Sequence, residues 1–223
     1  MLSRTNYTVD TSLLQEALDS VNPNDFKTTI NEPTGNFFYD PWQIKEEYKG
    51  TVWEKLLNTL PTSVGEARII SLAPQMSYHA HADIDDRYHL TVKSEQSYLV
   101  DLTFGKLHKL ETDGVWYDMD AGRLHTASNF GRDVRIQLVV RKNLNRGMLK
   151  YPVHVKIVSN ISNPDDSRFM FDNQVSPWLN NANKLGMINN FNYAPSAVDF
   201  DVEESYLTGL KWLLSDNNFR IEQ

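Results

Sequence analysis

Residues 67–141 read ARIISLAPQMSYHAHADIDDRYHLTVKSEQSYLVDLTFGKLHKLETDGVWYDMDAGRLHTASNFGRDVRIQLVVR, and this stretch decides the fold. Short runs rich in β-branched and aromatic residues fall at 67–73, 77–82, 87–92, 96–102, 105–110, 115–119, 124–129 and 133–141, with another at 153–158. Asp113-Gly114, Asp120-Ala121-Gly122 and Gly131-Arg132-Asp133 punctuate them as turns. About nine short strands at this spacing predict a mainly β architecture, a double-sheet jelly roll of cupin-like form with flanking helices.

On the N-terminal side, Thr11 or Ser12 is placed to cap a helix over residues 13–18. Asn31 to Asn36 reads as turn, and Trp53, Leu56, Leu57 and Leu60 follow helical spacing up to Pro61. On the C-terminal side, residues 160–192 are rich in Asn, Ser, Asp and Pro, with Phe169, Met170, Phe171, Trp178 and Leu179 embedded, and read as irregular. A helix over about 202–214 follows, striped by Tyr206, Leu207, Leu210, Leu213 and Leu214. The expected division is therefore 1–159, N-terminal helices plus β core, and 160–223, an extension. That much apolar surface predicts an extension packed on the core, bordering the pocket or forming a homodimer interface.

The chemistry sits inside the β-rich stretch. Five of the six histidines lie within His79–His125. In His79-Ala80-His81-Ala82-Asp83, residues two apart share a strand face, so His81 and Asp83 can converge on one metal. His125, on a later strand, can close the site from the opposite sheet. Two His and one carboxylate on one face of an octahedron leave positions for a chelating co-substrate and O2. Arg135 follows His125 by ten residues. Its planar fork can pair with a distal carboxylate whose keto-acid end chelates that metal.

Composition narrows the classes. The chain has 223 residues and no cysteine, so disulfides, thiolate zinc, iron–sulfur clusters and cysteine nucleophiles are excluded. A net charge of −7 argues against a nucleic-acid surface. No apolar run approaches membrane-span length and no secretory signal opens the chain, which predicts a cytoplasmic protein without membrane partners.

The run His81-x-Asp83, Arg87-x-His89-Leu90, His125, Asn129, Arg135 resembles the 2-oxoglutarate oxygenases grouped with the aspartyl/asparaginyl β-hydroxylases, in their microbial or phage form. The resemblance covers roughly residues 67–141. It implies a double-stranded β-helix, Fe(II) held by His81, Asp83 and His125, and O2 and 2-oxoglutarate as co-substrates. It also implies that His89 and Arg135 hold the distal carboxylate, with Arg87 assisting co-substrate or substrate. The implied reaction hydroxylates a C–H bond of an amino acid, peptide side chain or small metabolite and yields succinate and CO2.

Two other readings compete. A cupin-type metal enzyme without 2-oxoglutarate would use His79 with His81 and His125, leaving Arg135 idle. A non-catalytic ligand-binding barrel would need none of these residues as ligands. Asp85 and Asp86 read as a solvated acidic loop, Asn129 as either a ligand-orienting or a turn residue, and Trp53 and Trp116 as core.

Overall fold

The structure is a computed structural model, and it describes residues 2–22, 25–61, 64–83, 85–143, 149–184, 186–194, 196–214 and 218–223. The chain divides into two compact units, Met1–Leu144 and Asn145–Gln223.

The first unit runs β1 (Leu2–Thr8), α1 (Thr11–Ser20), β2 (Lys27–Thr29), β3 (Asn31–Pro33), β4 (Trp42–Ile44), α2 (Val52–Leu57) and β5 (Ala67–Leu72). It continues through β6 (Met76–Ser77), β7 (Arg87–Lys93), β8 (Ser97–Asp101), β9 (Lys106–Lys109), β10 (Val115–Met119), β11 (His125–Asn129) and β12 (Arg135–Arg141). Two antiparallel sheets carry the fold. One has the order β1-β10-β7-β12-β5-β2, the other β6-β11-β8-β9. From β5 to β12 the chain crosses between the sheets at every step except the β8–β9 hairpin, so these eight strands wind as a double-stranded β-helix, or jelly roll. Strands β1 and β2, which the sequence reading does not anticipate, extend the larger sheet at its two edges.

Strand β12 shows how alternation builds the two faces. Ile136, Leu138 and Val140 join a core with Leu90, Val92, Ile69 and Trp116, packed against Leu14 and Ala17 of α1 and Trp53 and Leu56 of α2. Leu56 and Leu138 are fully buried, so truncating either to Ala would cost about 2–5 kcal/mol. Trp116 is core as expected, and its indole donates to Thr59 Oγ1 at 2.8 Å. The intervening residues Arg135, Gln137, Val139 and Arg141 form the other face. Cross-strand register places Gln137 beside Ile70 and Thr91, and Val139 beside His89. That face is polar and buried, and it frames the site.

Local details differ from the sequence reading. Helix α1 is capped by Asp10, whose carboxylate accepts from Ser12 N at 2.9 Å, because Asp10 is extended and Thr11 is already helical. The run 77–82 is not a continuous strand. Ladder pairing stops at Ser77 and resumes as a single bridge at His81.

The second unit begins earlier than residue 160. The strand at 153–158 belongs to it rather than to the jelly roll: β13 (Pro152–Ser159) pairs with β15 (Ala197–Glu203) and β16 (Phe219–Glu222), and β14 (Ile188–Ala194) completes the sheet. Residues 160–184 and 186–192 form regular elements over most of their length rather than irregular chain. Asn163 caps α3 (Pro164–Met170), a π-helical turn follows at Phe171–Val175, and α4 (Ser176–Lys184) continues it. Leu207, Leu210 and Leu214 are buried in and just after α5 (Glu204–Leu213); the side chain of Leu213 lies outside the described residues. Among the described residues, no helix is long and apolar enough to cross a membrane.

Candidate metal centre

His81 and His125 are neighbours, not opposed across the sandwich. Their backbones exchange two hydrogen bonds, His81 N to His125 O at 2.9 Å and His125 N to His81 O at 2.8 Å. The rings lie 4.5 Å apart. Each ring is oriented by the carbonyl two residues before it: Nδ1 of His81 lies 2.8 Å from His79 O, and Nδ1 of His125 lies 2.8 Å from Arg123 O. A carbonyl only accepts, so each Nδ1 carries the proton and each Nε2 keeps its lone pair for a metal. Both Nε2 atoms face Asp83 Oδ2, at 3.6 and 3.7 Å.

Asp83 reaches this position without a strand beneath it. Its N–H donates to Ala121 O at 2.8 Å, and Arg87 Nη2 grips its Oδ1 at 2.7 Å. Oδ2 is buried and, among the described residues, without a hydrogen-bond partner. Ligand atoms of His81, Asp83 and His125 all lie within 4.8 Å of one another, a candidate metal-binding group. Bonds of about 2.1 Å from one metal would draw neighbouring ligands to roughly 3 Å, a small closure from the spacing seen. The donor set, two imidazoles and a carboxylate, suits a divalent transition metal. Burial pulls the His125 pKa down, against a rise from its bond to Arg123, so the ring favours the neutral, metal-binding form.

Next to the triad is a cavity of about 60 Å³, lined by residues that include His81, His125, Arg87, His89, Tyr78, Gln137 and Arg135. None of the described residues lining it is a carboxylate. Arg135 is 2% exposed, and its Nε and Nη1 have no hydrogen-bond partner among the described residues. Its contact is Tyr78, whose hydroxyl lies 3.4 Å from Nη2 and whose ring centroid lies 5.5 Å from the guanidinium carbon. Burial lowers the Arg135 pKa, but an arginine stays charged. A buried guanidinium with no anion costs several kcal/mol until a ligand supplies one. His89 is also buried, and among the described residues neither ring nitrogen has a partner at hydrogen-bond geometry, with Gln137 beside it. Burial, then the charges of Arg87 and Arg135, push its pKa down to about 3. It is a neutral imidazole at ordinary pH, with one N–H to give.

The structure thus brings His81, His125, His89 and Arg135 to one cavity, with Asp83 against the two imidazoles His81 and His125. Arg87 lines it too, but its guanidinium is engaged by Asp83 rather than free for a substrate. Asp85 is not solvated: it is 5% exposed, and burial raises its pKa to about 6. Asn129 is a turn fastener. Its amide donates to Leu72 O and Asp133 O at 3.0 and 2.8 Å, and its oxygen accepts from Ser97 and Gly131. His79 is exposed and contributes its carbonyl. Tyr78 and Gln137 were missed. Gln137 shares the strand phase of Arg135, the signal that could have found it; Tyr78 precedes the His-x-His-x-Asp run with no comparable mark.

No family model matches the chain, and no curated protein matches it. Among solved structures, a Pseudomonas putida prolyl-4-hydroxylase is similar at a TM-score of 0.37 and 13% identity, over 65% of this chain and 93% of that one. CapF, in a crystal structure with the inhibitor 3-isopropenyl-tropolone, is similar at a TM-score of 0.32 and 8% identity, over 51% of this chain and 30% of that one. The chain therefore spans less than a third of CapF. Likenesses this distant say nothing of chemistry.

Proposed function

We propose that this chain is an Fe(II)- and 2-oxoglutarate-dependent dioxygenase that hydroxylates a C–H bond of an amino acid, a peptide side chain or a small metabolite. The observation that carries the reading is Arg135: a buried guanidinium with no anionic partner among the described residues, on the same small cavity as the two imidazoles of an imidazole–carboxylate–imidazole group. One end of the cavity calls for a metal and the wall beyond it for an anion. A keto acid with a distal carboxylate answers both.

Iron, when bound, supplies O2 activation coupled to decarboxylation of 2-oxoglutarate to succinate and CO2. The chain supplies the rest. His81, Asp83 and His125 hold the metal through three atoms, and Arg87 keeps Asp83 Oδ2 turned toward the two Nε2 atoms. Arg135 binds the distal carboxylate through its fork, with the His89 N–H and the Tyr78 hydroxyl as further donors. Ile70, Leu99, Met119, Ala127 and Val139 make the remaining wall apolar, which excludes water and strengthens the charge pairing.

The cupin-type alternative needs the ring of His79. The ligand atoms that cluster are those of His81, Asp83 and His125, without His79, which weighs against the alternative. The test is anaerobic titration of Fe(II)-loaded protein with 2-oxoglutarate. A weak visible charge-transfer band that saturates at one equivalent is expected. Tight iron binding without any such band would move the cupin-type reading to first place.

A further inference from the structure

Arg87 and Arg141 face each other at one register position of the β7–β12 ladder. Like charges directly opposite repel, and Arg141 is buried. Between them sits Asp85, with Oδ2 3.8 Å from Arg87 Nε and 3.6 Å from Arg141 Nε. These separations are ion pairs rather than hydrogen bonds, and Asp85 Oδ2 has no hydrogen-bond partner among the described residues. Its contribution is charge placed between two cations.

The far end of this row is held tightly. The Arg141 guanidinium carbon lies 3.9 Å from the Phe37 ring centroid, 5.0 Å from Phe38 and 5.5 Å from Trp42, and Nη2 donates to Phe37 O. Gly65 makes room on another side, since a Cβ there would lie 2.9 Å from Arg141 Nε. The near end is Arg87 Nη2 on Asp83 Oδ1 at 2.7 Å. Asp83 lies outside the ladders, so little else in its own segment sets the direction of its carboxylate.

We propose that Asp85, clamped between Arg87 and Arg141, is a positioning residue for Asp83: it holds the Arg87 guanidinium, and through it the carboxylate oxygen that Asp83 presents to a metal. The row Asp83–Arg87–Asp85–Arg141 ends in the aromatic box of Phe37, Phe38 and Trp42, so a surface loop is tied to the metal ligand. The proposal rests on reading His81, Asp83 and His125 as a metal site.

Co(II) alone, titrated into the metal-free full chain and followed by its visible ligand-field bands and by calorimetry, tests it without turnover. Asp85→Asn is expected to weaken Co(II) binding by about tenfold and to alter the band shape, as loss of a partner behind a ligand does. Phe37→Ala removes a ring that is 44% exposed, so it spares the fold even if Asp85→Asn does not. A smaller loss in the same direction is expected. In an Asp83→Ala background, Asp85→Asn should change nothing further, whereas a purely structural role would subtract equally in both backgrounds. Wild-type protein that takes up no Co(II) overturns the metal site and the relay together. Wild-type binding matched by both single variants, or an equal loss in the Asp83→Ala background, overturns the relay alone.

Discussion

On the sheet of the second unit the polar face is turned to solvent, and its groups find one another. His154 Nδ1 lies 3.0 Å from Asp201 Oδ1, Asn190 Nδ2 donates to Asp201 Oδ2 at 2.6 Å, and Asn192 Nδ2 to Asp199 at 3.3 Å. On the larger sheet of the first unit the polar face is turned inward, and Arg135 and His89 have buried atoms with no partner. Both sheets are antiparallel and both alternate apolar with polar residues. A polar face that is exposed and self-satisfied is simply a surface. One that is buried and unsatisfied carries a free-energy cost that a ligand removes.

The contrast is tested most severely at the metal ligands. His81→Ala with His125→Ala should abolish Fe(II) binding and turnover, and Asp83→Ala should weaken both strongly; calorimetry on the metal-free protein reads this. Tight iron binding in the double variant would end the assignment. At the anion wall, Arg135→Ala should weaken 2-oxoglutarate binding by about tenfold to a hundredfold, because a charge-assisted bond is worth about 1.5–3 kcal/mol. Lys at 135 should recover part of that, keeping the charge without the fork. Iron affinity should stay at the wild-type value in both variants.

A smaller effect is expected from acid. The folded-state pKa of His89, about 3, lies below its ordinary 6.5. Below pH 6.5 the unfolded chain therefore takes up a proton that the folded chain refuses, and stability falls progressively from about pH 6.5 toward 3. Asp85 works oppositely: its folded pKa, about 6, exceeds the ordinary 3.8, so its contribution declines as pH rises from 3.8 to 6. The two partly cancel in wild type. Urea melts of His89→Gln against wild type isolate the first, and the wild-type disadvantage should grow as pH falls. Parallel curves would show that His89 is not held neutral. The smallest effect belongs to the second unit. His154→Ala should change stability by no more than about 0.5 kcal/mol and leave iron and 2-oxoglutarate affinities unchanged. A large loss of either affinity would mean that this polar face is more than surface.

Much of the first unit was legible. The strand runs from 87 to 141 match β7 to β12 closely, because each alternates over enough residues to declare its period. The triad was legible from donor types and spacing. The pairing of His81 with His125 was not, because a bridge between residues 44 apart leaves no local pattern. Asp85 was misread because Asp-Ile-Asp-Asp-Arg has the composition of a solvated loop. One of the cations that faces it, Arg141, lies on β12, far along the chain. Strand β13 was assigned to the wrong unit because PVHVKIVS alternates as well as any jelly-roll strand, and alternation does not name a partner.

What the sequence by itself determined was the inventory: which strands exist, which face of each is apolar, and which side chains could bind a metal or an anion. Those are local properties, set by period and by the chemistry of single residues. Only the tertiary structure decided which polar groups would be satisfied. Arg141 and Arg135 share one face of β12, six residues apart, and nothing in the sequence separates them. One lies among Asp85, Phe37 and Trp42, and the other, with no ion pair among the described residues, donates to Tyr78 and lines the cavity. Whether a buried charge is paired depends on neighbours brought from elsewhere in the chain, and that difference separates a fastener from a binding group.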